Sequence, residues 1–234
     1  MDNLMQKCEK CGGCGWIFKV DENGYEVASE CQCQKLKKAQ KRIENSGLAL
    51  VFRNKTFDNF VAKSKELANA KNKAQKFVSA NINEGNNTKP SLLLLGQVGS
   101  GKTHLAAAAA VELLTAGTEV VCMSYRDDIT RLKSKVMDAE AYEKEMKLYK
   151  TAPILMIDDF LKGRITDSDI NVMYEIVNYR YNNMLPMIVT SEKHVAWLVN
   201  EWDAATATRL LEMSKGYIVD LNGERLNYRI YGGL

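Results

Sequence analysis

One stretch restricts the fold of this chain more than any other: Ser91-Leu-Leu-Leu-Leu-Gly-Gln-Val-Gly-Ser-Gly-Lys-Thr-His104. Four consecutive leucines read as a short strand buried on both faces, as in a parallel sheet. Directly after it, Gly96, Gly101, Lys102 and Thr103 fit G-x-x-x-x-G-K-[ST], with a further glycine at Gly99. Glycines let the backbone wrap an anion without Cβ collisions. Successive N–H groups then point at phosphate oxygens, and the positive end of the following helix adds to them. Gly96, Gln97, Val98, Gly99, Ser100, Gly101, Lys102, Thr103 and His104 are therefore the candidate phosphate cradle for ATP or ADP. Lys102 is expected to reach the β- and γ-phosphates, and the Thr103 hydroxyl to ligate Mg²⁺.

A second stretch completes such a site. In Ala152-Pro-Ile-Leu-Met-Ile-Asp-Asp-Phe160 an apolar run ends in two carboxylates, as a Walker B strand requires. Asp158 is expected to hold Mg²⁺ opposite Thr103, and Asp159 to polarise the attacking water. Leu185-Pro-Met-Ile-Val-Thr-Ser191 is another buried strand ending in two hydroxyls, and a polar residue there can orient that water.

The rest of the chain supplies the strands and helices around these motifs. Residues 63–80 read as a helix with Leu67, Ala70, Ala74, Phe77 and Val78 on one stripe, followed by a polar loop from Asn81 to Pro90. An alanine-rich helix over 104–116, a strand over 118–125 and one charged, solvated helix from Arg126 to about Tyr149 follow. Ile170, Met173, Val177, Tyr181 and Met184 mark the core face of a helix over 167–184, flanked by Arg180. Two short helices, from Glu192 and from Asp203, precede a strand at Tyr217–Leu221 and a tail through Asn227–Ile230. Strands alternating with helices predict an α/β fold, a P-loop NTPase with a parallel sheet sandwiched by helices.

Five of the six cysteines lie within residues 8–33. Cys8 and Cys11 form C-x-x-C, Cys31 and Cys33 form C-x-C, and the residues between read as a hairpin turning at Asp21–Gly24. Two cysteine pairs flanking a hairpin can supply four thiolates to one Zn²⁺, and so short a segment needs such a staple. Cys14 is a spare fifth candidate. Residues 34–46 read as a helix with Leu36, Ala39 and Ile43 on one stripe and Lys35, Lys37, Lys38, Lys41 and Arg42 over the remainder. That basic surface suits an acidic partner or nucleic acid, or is simply solvated. Phe57 and Phe60 in the following linker read as anchors on the next domain. The expected division is 1–47 (zinc module and basic helix), 48–90 (linker and first core helix) and 91–234 (ATPase core).

At 234 residues, with 46% apolar and 26% charged residues, the chain has material for a real core. The net charge of +3 alone says little about partners. No apolar run could span a bilayer, and the N-terminus has no apolar signal core. A cytoplasmic protein with reduced thiols and no membrane partner is the expectation.

Taken in order, Gly96–His104, Ile157-Asp-Asp-Phe160, Leu185–Glu192, Thr208-Arg-Leu-Leu-Glu-Met213 and Asn227-Tyr-Arg229 resemble the DnaC/DnaI-type helicase loaders of the AAA+ superfamily over roughly residues 50–234. The cysteine module and basic helix resemble phage and Gram-positive members. The resemblance implies an ATP-dependent loader that binds a hexameric replicative DNA helicase, places it on single-stranded DNA, and forms a homo-oligomer when bound to ATP or helicase. It implies a sensor 1 role for Thr190 or Ser191, an arginine finger at Arg209 and a sensor 2 arginine at Arg229. A transposition helper ATPase of the same branch is the alternative, and so is a nucleotide switch with little hydrolysis. Asp159 stands where many AAA+ proteins carry Glu, one methylene longer, which implies slow hydrolysis. The short stretch after Arg209 is not expected to form a full helical lid, which implies loosely held nucleotide.

Overall fold

A computed structural model describes residues 8–20, 22, 24–82, 89–223 and 226–231, without the side chains of Lys35 and Leu36. The loop over 83–88, Asp21 and Asn23 of the expected hairpin turn, and the Leu36 position of the basic helix's stripe lie outside the described residues.

The chain opens with an antiparallel hairpin, β1 (Trp16–Val20) and β2 (Glu26–Glu30), and runs straight into helix α1 (Gln32–Asn45). A 3₁₀ turn at Leu50–Phe52 leads to α2 (Lys65–Ile82). The core then alternates: β3 (Leu92–Gly96), α3 (Lys102–Ala116), β4 (Val120–Ser124), α4 (Tyr125–Ser134), α5 (Ala139–Thr151), β5 (Ile154–Asp158), α6 (Asp167–Asn182) and β6 (Met187–Ser191). After the short α7 (Val195–Trp197) and a wider π-turn at Leu198–Trp202 come α8 (Ala204–Met213), β7 (Ile218–Leu221) and α9 (Tyr228–Tyr231).

The five core strands are parallel in the order β4-β5-β6-β3-β7. Side-chain alternation divides the core across the sheet. Leu92, Leu94, Ile154, Met156 and Ile188 pack on the α2–α3 side with Phe57, Phe60, Phe77 and Leu48. Leu93, Leu95, Leu155, Ile157 and Val189 pack on the other side with Met146, Tyr149, Met173, Ile176 and Leu210. All four leucines of β3 are fully buried, so each contributes about 1.5–3 kcal/mol of transfer free energy. Two layers of helices around one sheet explain why β3 reads as a continuous apolar run rather than an alternating one. Helix α1 packs on α3, and the Cys122 N–H donates to the Ser46 carbonyl at 2.6 Å, tying the end of α1 to β4.

Two expectations need correction. The single helix over 126–149 is two helices, α4 and α5, because the Asp138 carboxylate accepts from the Ala141 N–H at 3.0 Å and caps a new start. Its charges are not merely solvated. Glu145 is buried, and Arg131 Nε and Lys135 Nζ donate to it at 2.6 and 2.5 Å across the α4–α5 pair. On α6, Arg180 does not flank the core face but belongs to it. It is fully buried beside Val172, Met173, Ile176 and Val177, whereas Met184 is 65% exposed. Its Nη1 donates to the carbonyls of Tyr149, Lys150 and Ala152, and its Nη2 to that of Pro186 at 2.6 Å. The guanidinium thus satisfies the orphan carbonyls at the end of α5.

Candidate functional site

Strand order places the site. β6 lies between β5 and β3, so the ends of all three strands gather where β3 turns into α3. Gly96, Gly99 and Gly101 have φ of +126°, +75° and +90°, a region that other residues enter only with strain. Gly101 opens α3 as its N-cap, so the backbone amides of the loop and the helix dipole converge on one point. Close approach explains the glycines as well as φ does. A Cβ on Gly96 would collide with the Leu221 carbonyl oxygen, and one on Gly101 would meet Phe60 Cε2 at 2.7 Å.

Both flanking segments hold this loop. The buried Phe57 and Phe60 confirm the expected anchors; Phe60 stacks edge-on to His104 at 5.2 Å, and His104 Nε2 lies 3.0 Å from the Thr56 carbonyl. From the other end, the Tyr228 N–H donates to the Gly99 carbonyl at 2.9 Å and the Gly223 N–H to Gln97 Oε1 at 3.1 Å. Val98 stays exposed, and the Ser100 hydroxyl donates back to the Gln97 carbonyl at 2.9 Å.

The charged groups lie inside this frame. Lys102 is buried and its ammonium donates to the carbonyls of Gly96 and Gln97 at 2.8 and 2.7 Å. Burial pushes its pKa down, while the negative charges of Glu192, Asp159 and Asp158 oppose that shift. Burial pushes the Asp158 carboxyl up, against the hydrogen bonds it accepts from the Thr190 and Thr103 hydroxyls. Thr103 therefore lies near Asp158, on the side of the site where the two could hold one metal ion. A hydroxyl and a carboxylate beside a ring of amide donors is the hard oxygen set that Mg²⁺ on a nucleotide takes. Asp159 adopts φ +56°, its N–H donates to Thr190 Oγ1 at 2.9 Å, and its Oδ2 pairs with Lys162 at 2.8 Å.

The two hydroxyls at the end of β6 separate cleanly. Thr190 Oγ1 donates to Asp158 Oδ1 at 2.7 Å, whereas the Ser191 hydroxyl donates to the Phe160 carbonyl at 2.7 Å and faces away from the carboxylates. Of the two residues the sequence left open, Thr190 is the one in contact with the acids.

Residues 20–230 match the family model described as IstB-like ATP binding protein. The chain belongs to this family. The phage-like element PBSX protein XkdC of Bacillus subtilis strain 168 is 34% identical over 236 residues, covering 97% of this chain and 86% of that one. The crystal structure of the DnaC helicase loader aligns with a TM-score of 0.65 at 25% identity, covering 74% of this chain and 99% of that one. The DnaI crystal structure aligns with a TM-score of 0.63 at 23% identity, covering 75% of this chain and 94% of that one. This IstB-like protein is thus an ATP-binding ATPase of AAA+ fold.

The two late arginines lie on α8 and α9. Arg209 lies on α8 with its guanidinium 5.6 Å from the Tyr174 ring centroid and 5.9 Å from that of Tyr181, both on α6. Arg229 lies on the exposed α9, which hangs from the phosphate loop through Tyr228. Among the described residues neither arginine makes an ion pair. Sequence reasoning assigned no role at the site to Lys162 or to Glu192, which served only as a helix start and as the end of one resembling motif. The signal was available for Glu192: it is a carboxylate immediately after a strand that ends between the two nucleotide motifs.

At the other end of the chain, the Sγ atoms of Cys8, Cys11, Cys31 and Cys33 all lie within 4.8 Å of one another. Cys8 and Cys31 are 3.8 Å apart, Cys11 and Cys33 3.5 Å. A zinc tetrahedron with bonds of about 2.3 Å has edges of about 3.8 Å, so this thiol set fits Zn²⁺. The Gly15 N–H donates to Cys11 Sγ at 3.3 Å and brings its pKa down to about 6, while donation to Cys11 pushes Cys33 up to about 12. Cys14 is exposed and its thiol turns to the Cys11 carbonyl at 3.0 Å. Among the described residues no helix is long and apolar enough to cross a membrane.

Proposed function

We propose that this protein is an ATP-dependent loader that binds a replicative DNA helicase and helps place it on single-stranded DNA. The observation that carries this reading is the alignment of its ATPase core with the DnaC helicase loader over 74% of the chain. Residues 1–47, with zinc on Cys8, Cys11, Cys31 and Cys33, form the helicase-binding module. Residues 48–90 link it to the ATPase core at 91–234, which assembles into a homo-oligomer on ATP or helicase.

Within the core, the backbone amides of residues 96–103 and the Lys102 ammonium hold the triphosphate. Thr103 and Asp158 would hold Mg²⁺, which would supply positive charge against that building on the phosphates. Asp159 accepts the proton of the attacking water, and Thr190 fixes both acids relative to each other. Ser191 supports the loop from behind through Phe160. Arg209 reaches a neighbouring subunit's nucleotide, and Arg229 bears on the nucleotide of its own. Such fingers are worth about 10³–10⁵ in rate, so turnover is slow until subunits assemble.

The test is helicase loading onto a single-stranded circle, with ATP and with Lys102→Ala as control. Wild-type stimulation that the variant lacks supports the reading. Binding to no helicase, with ATPase stimulated by a transposase instead, would make the protein a transposition helper.

A further inference from the structure

The turn after β5 carries a pairing that the phosphate site does not explain. Lys162 Nζ donates to Asp159 Oδ2 at 2.8 Å and lies 3.5 Å from Glu192 Oε1. Two strand ends bring the three groups together. Asp159 and Lys162 sit on one tight turn, closed by the Lys162 N–H donating to the Asp159 carbonyl at 3.1 Å. Glu192 follows β6, the neighbouring strand, and both acids act on Lys102 of the phosphate loop. The turn itself is fixed. Asp159 and Leu161 have φ of +56° and +60°, Phe160 and Leu161 are fully buried, and the Asp159 N–H is tied to Thr190. The Lys162 side chain, by contrast, is 47% exposed and reaches the two acids from solvent. A rigid turn thus presents a carboxylate, and a half-exposed cation covers one of its oxygens.

We propose that Lys162 restrains ATP hydrolysis. Its ammonium, shared between Asp159 and Glu192, occupies the oxygen of Asp159 that the attacking water needs, and turnover stays low until a competing anion draws the ammonium away. This rests on Asp159 being the water-polarising carboxylate. In the step concerned, water gives a proton to Asp159 while its oxygen bonds to the γ-phosphorus and the bond to the departing ADP oxygen breaks. A carboxylate oxygen already accepting from an ammonium is a poorer acceptor for that proton. Lys162 is therefore a positioning residue that acts through Asp159. Because the pair is exposed, the restraint amounts to a factor of about five at most, a size suited to a control that a partner can lift.

The experiment compares the full chain with Lys162→Met, Lys162→Arg, Asp159→Asn and Lys162→Met/Asp159→Asn in steady-state ATPase assays, with binding of a fluorescent ATP analogue and melting temperature recorded for each. Lys162→Met is expected to raise kcat about two- to fivefold with KM for ATP unchanged. Lys162→Arg keeps a cation at the turn and runs below Lys162→Met. The double variant is as slow as Asp159→Asn, because the gain needs the carboxylate. An unchanged or lower kcat in Lys162→Met, or a raised KM, overturns the restraint and makes the lysine inert or a phosphate ligand. Asp159→Asn turning over like wild type while still binding the analogue overturns instead the reading of Asp159 on which the restraint rests.

Discussion

The Thr190 hydroxyl joins both acids of the nucleotide site: it donates to Asp158 Oδ1 at 2.7 Å and accepts from the Asp159 N–H at 2.9 Å. One oxygen on β6 thereby sets the orientation of two consecutive residues at the end of β5. Groups that orient metal ligands typically matter by about 10–100-fold when removed. Thr190→Val, close in shape but without the hydroxyl, is expected to lower kcat by about that factor while the protein still binds ATP. Thr190→Ser should recover most of the loss. Ser191→Ala serves as the comparison. It removes the bond to the Phe160 carbonyl and the one accepted from the Lys193 N–H, neither of which involves the acids, so it should cost thermal stability more than turnover. Equal kcat losses in Thr190→Val and Ser191→Ala would show that β6 matters only as scaffold.

The cysteine cluster makes a prediction about protons. Zinc takes thiolates, so every thiol still protonated must release its proton on binding. Cys11, held at about 6, is already ionised at neutral pH, whereas Cys33, pushed to about 12, is not. Zinc binding at pH 7.5 should therefore release protons, and affinity should fall as pH drops, most steeply below about 6 where Cys11 also gains its proton. Titration calorimetry in buffers of different ionisation heat measures the release. Serine at Cys8, Cys11, Cys31 or Cys33 should abolish stoichiometric zinc in the purified protein, and Cys14→Ser should leave one ion per chain. Loss of zinc in Cys14→Ser would redraw the ligand set.

Arg180 carries a stability prediction. Its guanidinium donates to four carbonyls from the end of α5 and the start of β6, and its Nε has no partner among the described residues. Burial lowers its pKa to about 9, so it remains a cation at neutral pH. Arg180→Met removes the burial cost of that cation but strands several buried acceptors at about 1–3 kcal/mol each. A net loss of about 3 kcal/mol is expected, or a fall in Tm of about 6–12 °C by calorimetry. A fall of less than 2 °C would mean that water replaces the arginine at those carbonyls.

The nucleotide motifs were legible in the sequence because their meaning is local. A glycine loop after a buried strand and two acids after another need only short-range spacing. The same locality explains the cysteine cluster, whose four thiols stand on either side of one hairpin. What escaped reading depends on neighbours distant in sequence. The choice between Thr190 and Ser191 required knowing that β6 borders β5, since only then does one hydroxyl face Asp158. Arg180 read as flanking the core face because its partners are backbone carbonyls, most of them some thirty positions away, which leave no side-chain signature. The break between α4 and α5 carries no glycine or proline, and Asp138 caps as effectively as either would interrupt. The docking of Asn227 and Tyr228 on Gly99 joins residues more than a hundred positions apart.

Arg209 gives the prediction that separates action within one subunit from action between subunits. Its guanidinium rests beside Tyr174 and Tyr181 on the α6–α8 face, and the Tyr181 hydroxyl donates to Glu212 at 2.9 Å, so the arginine is held on a surface of the core. If it completes a neighbour's site, Arg209→Ala should lower assembly-dependent turnover by about 10³-fold while leaving ATP binding intact. Mixing then decides. Arg209→Ala subunits keep an intact phosphate loop and Lys102→Ala subunits keep the arginine, so an assembly of both contains productive junctions and should recover measurable ATPase. If each arginine served its own nucleotide, no mixture of the two variants would hydrolyse faster than the sum of its parts. An ATPase titration of one variant into the other, under conditions where the wild type assembles, distinguishes the two results.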